Sequence, residues 1–117
     1  MDEYILGLNS YHPDSSACLF KNGKLLCAIE EERYSRIKHH SGFPYQSIKK
    51  CLEYSKISID QITKVTVNKR PLSNIYYKAI HFSKNSSKKN VSRMKKAVNF
   101  NQRLNTDFIK YFNKDIK

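Results

Sequence analysis

From Tyr4 to Leu8 the chain is apolar at nearly every position, with Tyr4, Ile5, Leu6 and Leu8 around Gly7 and no alternation. That run predicts a central β-strand covered on both faces. Two more apolar runs follow, Ser16 to Phe20 and Leu25 to Ile29, separated by Lys21-Asn22-Gly23-Lys24. Asn and Gly both tolerate the positive φ of a type I′ turn, so the first three strands are expected as an antiparallel meander. Pro44 then suits the first position of a helix, and Tyr45, Ile48, Cys51 and Leu52 recur at helical spacing as far as Ser55. Ser58 to Gln61 has the form of a capping box, and Ile62 to Val67 alternates with β-branched residues as a fourth strand. A helix between strands three and four implies a crossover that lays strand four parallel to a neighbour. Pro71 opens a second helical stripe through Leu72, Ile75, Tyr76, Ala79 and Ile80. A looser period then runs from Val91 through Met94, Val98, Leu104, Phe108 and Tyr111, a face so narrow that it needs a partner to bury it.

Composition adds a division along the chain. The 117 residues, 39% hydrophobic, suit one small α/β domain plus a tail. Residues 1–68 hold 9 Lys and Arg against 8 Asp and Glu, while residues 69–117 hold 13 against 2, so nearly all of the net charge of +12 lies in the back. A basic segment is expected either as a contact for nucleic acid or an acidic partner, or as a solvated surface. Tyr76, Tyr77, Phe82, Phe100, Phe108, Tyr111 and Phe112 interleave with its cations, as base-stacking platforms or as core contacts. No recognised nucleic-acid motif accompanies the charge, so nucleic acid is not the expected partner. There is no membrane-spanning run and Asp2 and Glu3 replace the basic start of a signal peptide, which makes a cytoplasmic protein the expectation. Cys18, Cys27 and Cys51 are far apart and read as buried packing residues, and His81 reads as a surface histidine, with no second ligand at helical spacing.

Candidate chemistry gathers where the first strand stops. Asn9, Ser10, His12, Asp14, Ser15 and Ser16 share one short turn, which combines an imidazole, a carboxylate, an amide and hydroxyls suited to holding a phosphate or an acyl group. The third strand runs into Glu30-Glu31-Glu32-Arg33-Tyr34-Ser35-Arg36-Ile37-Lys38-His39-His40. Three adjacent carboxylates need a positive neighbour, for which Arg33, Arg36, Lys38 or a bound cation are the choices, unless the stretch is a solvated loop.

The order of elements resembles a ribonuclease-H-like half-domain of the actin and sugar-kinase type, an α/β unit with a three-stranded antiparallel meander followed by helix, strand and helices. The motifs are more specific. ILGLNSYHPDSSACLFKNGKLLCAIEEERYSRIKHHSGFP, then IKKCLEYSKISIDQI and VTVNKRP, closely resemble the N-terminal segment of the nodulation and antibiotic-tailoring O-carbamoyltransferases. The resemblance is detailed from about Tyr4 to Pro71 and fades through the tail. It implies a partial N-terminal lobe over residues 1–83, followed by a basic helical tail over 84–117. It also implies transfer of a carbamoyl group from carbamoyl phosphate, by way of a carbamoyl-adenylate made from ATP, to a hydroxyl acceptor. By position, His12 would be the general base with Asp14 beside it, a task suited to an imidazole. Asn9, Ser15 and Ser16 would face the phosphate, while Glu30, Glu31, Arg33, Lys38 and His39 would support the site. The family's ATP and iron-like divalent metal would be held by sequence not present here, with no metal ligands expected in this chain. Such a chain is expected to need the remainder of the enzyme or self-association for turnover. The alternative is a small basic binding protein without catalysis.

Overall fold

The Asn22-Gly23 turn aligns the front of the molecule: both residues have positive φ, 49° and 79°, and Lys21 pairs with Lys24 across it. The structure, a computed structural model, describes residues 1–69 and 99–116. Strand β1 (Tyr4–Asn9) pairs antiparallel with β2 (Ser16–Lys21), and β2 with β3 (Lys24–Glu30), which is the expected meander. One turn of helix α1 (Glu32–Ser35) and a loop lead into α2 (Tyr45–Ser55). A 3-10 turn (Ile59–Gln61) follows, entered by the Ser58 N–H donating to the Gln61 side chain at 2.9 Å. Then β4 (Lys64–Val67) joins the far side of β1 in parallel, giving the sheet order β3-β2-β1-β4. Helix α3 (Phe100–Phe112) returns to the same body.

The core lies on one face of this sheet. Tyr4, Leu6 and Leu8 of β1 and Ala17 and Leu19 of β2 meet Ile48, Cys51 and Leu52 of α2 there. Phe100, Leu104 and Phe108, four residues apart on α3, complete it, and Phe108 is fully buried. Burial of β1 alternates, so the expected strand covered on both faces is corrected: Ile5, Gly7 and Asn9 point to a half-buried opposite face. Gly7 is required on that face because a Cβ there would lie 2.6 Å from Cys18 Sγ. Helix α2 starts one residue later than expected, with Pro44 as its cap residue.

The tail aromatics within the described residues are packing groups. Phe43 meets Phe108 edge to face at 5.2 Å, and Tyr111 stacks on Phe43 at 5.5 Å and on Tyr45 at 4.8 Å. The helix expected from Pro71, His81, and the period from Val91 to Val98 lie outside the described residues. Among those described, no helix is long and apolar enough to cross a membrane.

Candidate functional site

The parallel and antiparallel registers place chemistry at one end of the sheet. Asn9 pairs with Ser16 and Ser16 with Glu30, so these three form one row across β1, β2 and β3. Strands β1, β3 and β4 all run toward that end, the position where open α/β sheets collect ligands. A solvent-open cavity of about 970 Å³ lies against it, lined by Asn9, Ser16, Glu30, Arg33 and Asn68 around Gly7 and Cys18.

The three carboxylates next to β3 each find a different partner. Glu30 pairs with Arg33 at 3.4 Å. Glu31 is only 3% exposed, and its two oxygens accept the Gln46 N–H at 3.1 Å and the Ser47 N–H at 2.8 Å. The positive end of α2 thus neutralises Glu31, a device worth more in a buried site than on the surface. Glu32 accepts the His39 N–H at 3.1 Å. Of the three cations expected to offset this run, only Arg33 does so; among the described residues no ion pair reaches Arg36 or Lys38, both exposed.

The turn from Ser10 to Ser15 is held from several sides. The Asn9 amide donates to Pro13 O at 3.3 Å and Asp14 O at 3.0 Å, and its Oδ1 accepts from Asn68 at 2.8 Å. Ser15 is buried, its N–H donating to His40 O at 2.9 Å and its hydroxyl to Gly42 O at 2.7 Å, while Ser15 O accepts the Glu31 N–H at 2.8 Å. The Ser15 hydroxyl therefore points into the fold, and of these two serines it is Ser16 that lines the cavity. His12 stands exposed at the tip, with Nδ1 3.2 Å from Pro13 O. A carbonyl can only accept, so Nδ1 is the donor in this contact, and Nε2 is the acceptor of the neutral ring.

Asp14 and His39 form a second group, separate from the row of Asn9, Ser16 and Glu30. His39 Nδ1 lies 2.8 Å from Asp14 Oδ1, and this hydrogen bond raises the imidazole pKa. With Glu32 they form a trio of ligand-type atoms within 4.8 Å of one another. Within this trio His39 Nδ1 and Asp14 bond each other, and both side chains are more than half exposed. Thr66 of β4 and Asn68, the residue after β4, line the cavity and carry no sequence signal of their own; only the parallel register, Leu8 against Val67, brings Asn68 beside Asn9.

Comparison with known proteins follows the same line. The family model described as "Carbamoyltransferase N-terminus" matches residues 4–115. An uncharacterized Synechocystis protein is 39% identical over 69 residues, 59% of this chain and 11% of that protein. The nodulation protein NolNO of Sinorhizobium fredii is 41% identical over 54 residues, 46% of this chain and 8% of that protein. An uncharacterized protein of Methanocaldococcus jannaschii is 29% identical over 108 residues, 92% of this chain and 17% of its own length. The chain thus spans a small part of each of these relatives.

Proposed function

The chain belongs to the carbamoyltransferase N-terminus family, and from that membership we propose that it is the first lobe of an enzyme carrying a carbamoyl group from carbamoyl phosphate to a hydroxyl acceptor. The sheet order and the α2 crossover support a ribonuclease-H-like half-domain as its architecture. The observation that carries the reading is the cavity bearing Ser16 and Arg33 at the sheet end where β1 runs into the turn that carries His12, a turn tied back at both its ends.

In this reading His12 Nε2 takes the acceptor's proton as the acceptor oxygen bonds to the carbamoyl carbon, and the bond from that carbon to the leaving phosphate or adenylate oxygen breaks. The electron pair goes to the leaving group, whose charge the Arg33 guanidinium offsets while Ser16 donates a hydrogen bond. Asn9, Ser15 and Glu31 hold the turn rather than touch the ligand, and Asp14 and His39 brace its outer side. ATP is a substrate whose adenylate-forming step belongs to the longer family polypeptide, which the isolated lobe needs for turnover. A divalent metal, if used, belongs there too.

Binding can be tested on this chain alone. Carbamoyl phosphate titrated against the ¹⁵N-labelled protein is expected to shift the Ser16 amide and the Arg33 side chain, and Arg33→Met to weaken binding at least about tenfold, the scale of one charge-assisted hydrogen bond. Shifts confined to the basic tail would contradict this site.

A further inference from the structure

One set of contacts reaches the His12 turn from far along the sequence. Tyr11, the residue before His12, is half-buried with φ 58°, a left-handed conformation that a bulky residue keeps only when its surroundings hold it. Its N–H donates to Gly42 O at 3.3 Å. Its hydroxyl donates to the Asp107 carboxylate of α3, with Arg103 O 3.4 Å away. The ring stands edge-on to Phe100 at 5.6 Å, and the Arg103 guanidinium lies 4.1 Å from its centroid. Burial, and then Asp107, push the phenol's pKa up, so the hydroxyl stays a donor at any ordinary pH.

Packing alone would need only the ring against Phe100. A phenol pinned to a carboxylate and covered by a guanidinium also fixes the direction of the ring, and with it the direction in which the backbone leaves Tyr11 toward His12. Ser15 fixes the other end of the turn through Gly42 and His40. We propose that Tyr11 is a positioning residue, through which Asp107 and Arg103 of the basic C-terminal helix set the orientation of His12. The inference rests on the reading of His12 as the base, and it gives the tail helix a part in the site that its charge pattern did not suggest.

The test uses the full chain, added to a family polypeptide that lacks its own matching first segment. Tyr11→Phe keeps the ring against Phe100 and Arg103 but removes the hydroxyl; Asp107→Asn removes the charge. Each is expected to lower kcat of carbamoyl transfer by about tenfold to a hundredfold, the scale of a misplaced catalytic group, with KM little changed. The double variant is expected to be no worse than either single one, since both cut the same link. Independently of activity, exchange of the Tyr11 and Ser15 amides, which bond Gly42 O and His40 O at the two ends of the turn, should speed up in both variants while β2 keeps its protection. A lowered melting temperature with kcat and the exchange of these two amides unchanged would make Tyr11 a packing residue and overturn the inference. His12→Ala is the control: if it leaves transfer intact, the base reading fails, and the exchange result alone decides whether Tyr11 orients the turn.

Discussion

Glu31 is a carboxylate almost wholly removed from water, tolerated because two backbone N–H groups of α2 point at it. Its truncation leaves both donors unsatisfied, so Glu31→Ala is expected to cost about 3 kcal/mol in a urea unfolding experiment, and Glu31→Gln, which keeps one acceptor, roughly half of that. His39 works in the opposite sense, at the surface. Its pKa is raised by the bond to Asp14, so the contact contributes fully below the ordinary imidazole value of about 6.5 and is lost as pH rises through the raised one. An NMR titration of the His39 ring should show that upward displacement, and Asp14→Asn should remove most of it, the charge of Glu32 supplying the smaller remainder. The triple carboxylate was legible in sequence as a charge problem. Its solution was not, because the positive end of α2 is a property of a docked helix and no side chain announces it.

Among the elements, what the sequence announced was local. The positive φ of Asn22 and Gly23 follows from residue type, and the spacing of Ile48, Cys51 and Leu52 follows from helical period. Which face of β1 is covered depends on which elements pack there, and the unbroken apolar run hid it. Gly7 marks that face: Gly7→Ala would drive a Cβ into Cys18 Sγ and is expected to destabilise by about 1–3 kcal/mol, with Cys18→Ala in the same chain recovering most of the loss. Helix α3 had the visible period of a narrow face, and its partner proved to be the core of this same chain. Phe108→Ala should therefore cost about 3–5 kcal/mol, as for any fully buried aromatic, read as a fall in melting temperature.

At the scale of the whole molecule, the candidate site residues divide. Asn9, Ser16, Glu30 and Arg33 share one cavity, Asp14 and His39 pair outside it, Ser15 turns inward, and Lys38 stands exposed without an ion pair among the described residues. Sequence could group them by motif but not by register, since a shift of one residue between β1 and β2 would put Asn9 and Ser16 on opposite faces of the sheet. The chain covers 8–17% of three longer relatives. The most direct measurement is transfer of ¹³C-labelled carbamoyl from carbamoyl phosphate to a hydroxyl acceptor, in a family polypeptide stripped of its own first segment and supplied with this chain. Restored transfer that falls about a hundredfold or more with His12→Ala is the predicted result. Restored transfer that His12→Ala leaves untouched, or none with the parent chain, would contradict the account.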